Sequence, residues 1–293
     1  MEIIKFIQSF SSPFWDAFFQ GLTMLGEDTF FMLVAALVFW CLHKDFGYRL
    51  ILTYLTGTTL NVALKEIFMI ARPIGRTGIR SLRLETAGGY SFPSGHTQCV
   101  ALFITSLMTK LRKLWFYWVG GIIIALVAVS RLYLGVHWPV DVIGGALIGV
   151  VWVLFSNRLF DYVETTTGKK WIFLIILFPL ILGMFFFPTT NYYKISGATL
   201  GFFGGYFIEP RYIRYQTAAP FLKQVLKSII GIIVLLAIRL TLKKILPNIL
   251  FSDFFRYFLM SIWVTILAPI FFKFLGLTNI QARGVNYRSG HEA

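Results

Sequence analysis

Residues 130–155 read SRLYLGVHWPVDVIGGALIGVVWVLF, and this stretch decides the fold. Between 138 and 157 the only ionisable side chain is Asp141. That is the length and composition of a helix able to cross a hydrocarbon core, which takes about 20 apolar residues. Pro139 stands where a proline is best tolerated, in the first helical turn. Gly145 and Gly149, four apart, let another helix backbone approach closely. Arg131, His137 and Asp141 crowd the entrance to this span. Ionisable groups at membrane depth are costly, so such a crowd is a functional candidate by default.

Working outward, the same kind of block recurs at roughly 28–43, 47–70, 94–110, 114–132, 171–188, 194–208, 226–242 and 254–275. The chain is 57% hydrophobic and 14% charged, against about 25% charged residues in a soluble domain. Its mean hydropathy is +0.73. The expected fold class is therefore all-α, a polytopic transmembrane helix bundle. Residues 1–26 are amphipathic with Pro13 near the middle, and two readings stand, a short tilted span or an interfacial helix. No removable signal peptide is expected at the start, so the first segment stays with the bundle. Gly197, Gly201 and Gly205 form a second small-residue stripe. The tail after Leu277 is polar and expected to be disordered.

The net charge is +14. In a soluble chain this would suggest nucleic acid; here the basic residues fall between apolar blocks, where they set topology and meet anionic lipid, and no nucleic-acid partner is expected. One side receives Lys44, Arg49, Lys110, Arg112, Lys113, Arg158, Lys169, Lys170, Arg211, Arg214, Lys223 and Lys227. By the positive-inside rule that side is cytoplasmic, and the 71–93 loop faces outward. Cys41 and Cys99 lie in apolar helices and read as buried thiols.

Three segments carry polar residues at helix ends on the outer side. In the first, Lys65 and Arg72 are seven apart, two helical turns, with Pro73 favouring a helix stop. Two cations converging there suit a phosphate, and headgroup snorkelling is the alternative. In the second, Pro93-Ser94-Gly95-His96 opens a span. A helix N-terminus is an anion site, Ser94 adds a hydroxyl, Gly95 allows close approach, and His96 is placed to give a proton. A cap or interfacial role is the alternative for that histidine. In the third, His137 and Asp141 are four apart, so a carboxylate can fix one ring nitrogen and leave the other as a lone-pair nucleophile. Taken alone the pair reads more readily as structural. Together the segments supply what in-line phosphoryl transfer needs, positioning and charge stabilisation.

Lys65 to Pro73, Pro93 to His96 and Ser130 to Asp141 match K-x6-RP, PSGH and SR-x5-H-x3-D in order. In these motifs the chain resembles the type 2 phosphatidic acid phosphatase superfamily, which includes the soluble vanadium haloperoxidases. The resemblance covers roughly residues 25–160 and implies a six-helix phosphatase core, with about four extra C-terminal helices beyond it. It implies that His137 attacks phosphorus, Asp141 orients it, and His96 acts as general acid and then base. Lys65, Arg72, Ser94, Gly95 and Arg131 would bind phosphate. It further implies a metal-independent enzyme without cofactors, inhibited by vanadate, acting on a lipid phosphate or diphosphate from the extracytoplasmic side of a bacterial cytoplasmic membrane.

The expected division is 1–160 phosphatase core, 161–277 additional helices and 278–293 polar tail. Arg239, Asp253 and Arg256 near the outer face either widen a headgroup pocket or pair with one another. Arg76, Arg80 and Arg83 either attract anionic headgroups or bind the lipid surface, and Glu209 to Arg214 reads as a cytoplasmic anchor. Two other functions stand beside a lipid phosphatase: a phosphatase of a soluble ester, as in the glucose-6-phosphatase branch, and a lipid transporter or scramblase. A transporter has no need of a His137/Asp141 pair beside a PSGH turn.

Overall fold

The computed structural model describes residues 1–165 and 172–278. Lys169, Lys170 and nearly all of the 278–293 tail lie outside the described residues. Among the described residues the chain is helical throughout its regular structure, with no strand. Every apolar block read from the sequence is a helix. They are α3 (Asp28–Leu37, continued by a π-turn, Val38–Leu42), α4 (Lys44–Phe68), α5 (Gly95–Leu111), α6 (Leu114–Tyr133) and α7 (Pro139–Thr165). After them come α8 (Ile172–Phe186), α9 (Thr190–Ile208), α10 (Phe221–Ile245) and α11 (Leu250–Ile262), the last running on through a second π-turn into α12 (Ala268–Phe274). Helices α6, α7, α10 and the Leu250–Phe274 run are each long and apolar enough to cross a membrane. The more polar α4, α5 and α9 sit inside the bundle these enclose.

Pro13–Gly26 and Asp28–Leu42, bent by 53° at their junction, are together long and apolar enough for one broken span or a re-entrant loop, and the amino-terminal segment itself breaks into two helices, α1 (Glu2–Gln8) and α2 (Pro13–Thr23). Both are held at one end of the bundle, where Gln8 Nε2 donates to the carbonyls of Arg80 (2.7 Å) and Tyr133 (2.8 Å). Arg80 makes a two-point ion pair with Asp16 (2.6 and 2.8 Å), and Arg83 pairs with Glu27 at 2.6 Å. Two of the three arginines read as lipid-facing therefore fasten the outer loop to α2 and to the start of α3.

Both glycine stripes work as packing seams. A Cβ at Gly145 would lie 2.6 Å from the Ser94 carbonyl oxygen, and one at Gly149 would lie 2.7 Å from the Ala101 methyl, so α7 rests directly on α5. Gly197, Gly201 and Gly205 do the same for α9, against Phe254, Phe258 and Thr265. At the far end Glu209 is fully buried. It accepts from Lys44 Nζ (3.2 Å), Tyr48 Oη (3.0 Å) and the Tyr215 amide (2.6 Å), tying the carboxyl-terminal helices to α4. Glu209 is thus an internal joint, while Arg211, Tyr212 and Arg214 of the same segment stay exposed. Lys227, grouped by sequence with the topology-setting cations, is also buried and donates to Trp40 O (3.1 Å), Tyr215 Oη (3.1 Å) and Thr217 O (2.8 Å).

Candidate active site

The three polar segments meet at the end of the bundle that carries α1 and α2. Two of them reach it by routes the spacing did not predict. Helix α4 stops at Phe68, because Met69 takes a left-handed conformation (φ 49°). Arg72 is therefore delivered by a short extended stretch, pinned where Trp138 Nε1 donates to Ala71 O at 2.8 Å. Lys65 and Arg72 still converge, since both donate to the Tyr90 carbonyl, at 2.6 and 3.1 Å. His137 likewise lies in the turn before α7, not on the helix, while Asp141 is in its first turn. Gly95 and His96 open α5 as expected, and Arg131 closes α6.

His137 and Asp141 are buried, with Nδ1 3.2 Å from Asp141 Oδ2. The same Oδ2 accepts from the Trp138 amide (2.7 Å) and from the Ser91 hydroxyl, which also lies 3.4 Å from His137 Nδ1. The other ring nitrogen, Nε2, lies 3.0 Å from Arg72 Nη1. A guanidinium can only donate, and a carboxylate can only accept. The two neighbours therefore agree on one tautomer, with the proton on Nδ1 and the lone pair on Nε2. Burial, then the Arg72, Arg131 and Lys65 cations, hold this imidazole well below the usual histidine range. Burial also draws the Arg72 guanidinium down to about 10, with Asp141 opposing, so it remains a cation at neutral pH.

The five Arg72 N–H groups are all engaged: with Gly88 O (2.8 Å), Gly89 O (2.9 Å), Tyr90 O (3.1 Å), Val136 O (2.8 Å) and His137 Nε2. Arg131 differs. It is fully buried, gives Nη1 to Thr23 Oγ1 at 2.8 Å, and leaves Nε and Nη2 without a partner. Those two donors share one edge of the guanidinium, the edge that grips two oxygens of an anion. His96 Nε2 and Asp141 Oδ1 are buried and unpartnered too. The amides of Gly95, His96 and Thr97 form the first turn of α5, where N–H groups have no intrahelical acceptor. The Ser94 hydroxyl accepts from Thr97 Oγ1 (3.1 Å), and its amide donates to Asp141 O (2.9 Å).

Sequence reasoning missed four residues that build the site. Ser91 is fully buried and bonds Asp141; a serine two residues before a proline gave no signal. Asn61 Nδ2 donates to Gln98 Oε1 (2.7 Å) and Pro93 O (3.3 Å), fixing the start of α5 against α4. The side chain of Gln98, in turn, donates to Gly57 O at 2.8 Å. A Cβ on Gly26 would come within 2.7 Å of the His96 carbonyl oxygen, so only glycine lets that turn rest on the helix end.

Lys65, Arg72, Gly95, His96 and His137 line the mouth of a cavity of about 530 Å³. It continues past Glu27 and Asp28 to Lys194 of α9 and Arg239 of α10. Of the three outer residues, Asp253 and Arg256 pair with each other, whereas Arg239 donates to Thr29 Oγ1 at 2.7 Å and lines the cavity. Among the described residues, no group of three or more His, Cys, Asp or Glu side chains comes together.

A multi-pass helical bundle with a buried histidine, a carboxylate and three cations at one end is a membrane protein with an anion site. The sequence model of the PAP2 superfamily matches residues 46–165, and that of the PAP2 superfamily phosphatase transmembrane extension matches 193–282. Sphingosine-1-phosphate phosphatase 2 of Mus musculus is 23% identical, over 90% of this chain and 89% of that protein. Undecaprenyl-diphosphatase of Sulfolobus acidocaldarius is 31% identical, over 54% of this chain and 76% of that protein. The crystal structure of a transmembrane PAP2 type phosphatidylglycerolphosphate phosphatase from Bacillus subtilis is 26% identical, with a TM-score of 0.47 over 57% of this chain and 86% of that one. The chain belongs to the PAP2 superfamily of membrane lipid phosphate phosphatases, and it is an enzyme, a phosphatase.

Proposed function

We propose that the enzyme hydrolyses a lipid phosphate through a phosphohistidine on His137 Nε2. The observation that carries this reading is the clamped imidazole. Asp141 holds Nδ1 from one side, Arg72 faces Nε2 from the other, and both dictate a lone pair on Nε2. In the first step Nε2 attacks phosphorus, the P–O bond to the lipid breaks, and His96 gives its proton to the leaving oxygen. In the second step water attacks phosphorus, His96 takes the water's proton, and the P–N bond breaks to restore neutral His137. Asp141 stabilises the imidazolium-like ring between the two steps. Lys65, Arg72 and Arg131, with the Ser94 hydroxyl and the first amides of α5 from Gly95 onward, hold the phosphoryl oxygens. Those three cations supply the charge neutralisation, so the reaction runs without a metal or cofactor and is blocked by vanadate.

The site faces away from the cytoplasm. Lys44, Arg49, Lys110, Arg112, Lys113, Arg158, Arg211 and Arg214 cluster toward the opposite end, where Arg49 bridges Asp161 and Glu164 and Lys110 meets His43. Cations near span ends favour the cytoplasmic side. A lipid substrate is favoured over a soluble ester because apolar side chains line most of the cavity behind the phosphate site.

The test is turnover and phosphoenzyme formation by the purified chain with radiolabelled lipid phosphate. Wild type should give a label that survives alkali and is lost in acid, and His137→Ala should give neither label nor turnover. Normal hydrolysis by His137→Ala would refute the nucleophile assignment. Protease accessibility in sealed vesicles tests sidedness, with outer-loop cleavage from the cytoplasmic face as the contrary result.

A further inference from the structure

We infer that Lys194 and Arg239 form a second anion subsite, which holds a carboxylate, phosphodiester or other anionic group in the part of the substrate that is not transferred; this rests on the phosphatase reading above. Both side chains line the cavity whose mouth carries Lys65, Arg72, His96 and His137, and both come from the carboxyl-terminal extension, one from α9 and one from α10. Their place in the fold separates them from cations that meet lipid headgroups. Lys243 and Lys244, one turn further along α10, are exposed and do not line the cavity, whereas Lys194 and Arg239 are half-buried and do.

The charge of the pair is not answered by the protein. Among the described residues, Arg239 makes one hydrogen bond, from Nη1 to Thr29 Oγ1 at 2.7 Å, and Lys194 Nζ meets only the Tyr257 ring, 5.9 Å from its centroid. The Nε–Nη2 edge of Arg239, the edge suited to two oxygens of an anion, has no partner among those residues. The charged groups around Lys194 are Asp253, Arg256, Asp28 and Arg239. Asp253 is taken by Arg256, and Asp28 accepts from Tyr54 Oη at 2.8 Å. Glu27 and Glu85, the other carboxylates that line the cavity, both pair with Arg83. Two cations thus face one carboxylate. The positive charge left over lies inside a membrane bundle, where an uncompensated charge is costly. A negative charge on the substrate offsets it, and an ammonium would add to it.

The subsite stands at headgroup distance from the reaction. Gly26 rests on His96, and Thr29, which holds Arg239, comes three residues later, at most about 10 Å of chain. A molecule gripped at both places needs only a headgroup to span them.

The purified full-length enzyme is assayed in nonionic detergent against N-hexadecanoyl phosphoserine and 1-hexadecanoyl-2-succinylglycerol 3-phosphate, whose carboxylates stand at different distances from phosphorus. Each is compared with its neutral methyl ester, and 2-(hexadecylamino)ethyl phosphate supplies an ammonium instead. The quantity read is the ratio of kcat/KM for acid over ester. In wild type it should reach about tenfold or more for the acid whose reach fits, the worth of one hydrogen bond to a charged group. Lys194→Met and Arg239→Gln should each bring that ratio close to one, and Lys194→Arg should keep it. Acid and ester are measured on one preparation, so a loss of folded enzyme lowers both rates and leaves the ratio unmoved. Ratios near one for both acids in wild type, a ratio unmoved in both variants, or faster hydrolysis of the ammonium compound than of either acid would overturn the subsite. Hydrolysis of none of these compounds would instead overturn the phosphatase mechanism on which it rests.

Discussion

Asp141→Asn isolates the charge of the carboxylate from its geometry. Three donors converge on Oδ2: the Ser91 hydroxyl, the Trp138 amide and His137 Nδ1. An asparagine must put its carbonyl oxygen there, since an NH₂ group would face three donors. The imidazole then keeps its tautomer, and what is lost is the negative charge opposite a ring that becomes cationic as the P–N bond forms. Two unit charges at the observed 3.2 Å attract by about 5 kcal/mol at an effective dielectric of about 20. The amide dipole recovers part of this, leaving about 3–4 kcal/mol, or roughly a hundred- to a thousandfold in kcat. The assay is kcat on a single-chain phosphate, with the phosphoenzyme burst measured alongside and thermal unfolding as a folding control. A folded Asp141→Asn enzyme within threefold of wild type would show that the carboxylate does not act on the transition state.

Ser91→Ala removes one of three donors to the Asp141 carboxylate. At about 1.5–3 kcal/mol for a hydrogen bond to a charged group, kcat should fall ten- to a hundredfold, and unchanged turnover would remove Ser91 from the site. His137 titrates below its usual value of about 6.5, so the acid limb of wild-type kcat/KM should lie below that pH, and Arg72→Gln should move it upward. An imidazole kept neutral in the fold but free to protonate when unfolded costs stability as pH falls below about 6.5; a wild-type limb at or above 6.5 would refute the assignment. Chelators should leave kcat unchanged while vanadate inhibits, and activity lost to a chelator and restored by one divalent ion would contradict metal independence. Glu209→Gln should destabilise the folded chain by about 3 kcal/mol, read as a fall of several degrees in the detergent unfolding midpoint, because Lys44 and Tyr48 lose a buried charged acceptor.

The spans and the three polar segments were legible because both signals are local. Twenty apolar residues must cross or be buried, and a proline or glycine at a helix end fixes where the polar residues emerge. The glycine stripes were legible for the same reason, since four-residue spacing puts small side chains on one face. What stayed hidden depends on neighbours distant in the chain. Nothing in KEIFMIARP marks Met69 as the left-handed residue that ends α4 four positions before Pro73. Ser91 acquires its role only when the 88–93 loop meets the start of α7. Arg239 was separated from Asp253 and Arg256 by Thr29, more than two hundred residues earlier in the chain. The extension looked like additional spans, and its place as the far wall of the cavity appears only in three dimensions.

The saturated Arg72 has a consequence for turnover. Its five N–H groups are shared among four backbone carbonyls and His137. An arriving phosphate does not find a bare cation waiting; it must outbid oxygens already in hand. Departing inorganic phosphate leaves against the same competition, because the carbonyls of Gly88, Gly89 and Tyr90 stand ready to reclaim the guanidinium. Association and release thus become an exchange of partners, in which the loop behaves as a built-in rival ligand. Under the role proposed for Arg72, such a site sheds product readily, a useful property for an enzyme whose product is an anion of the same shape as the group it transfers.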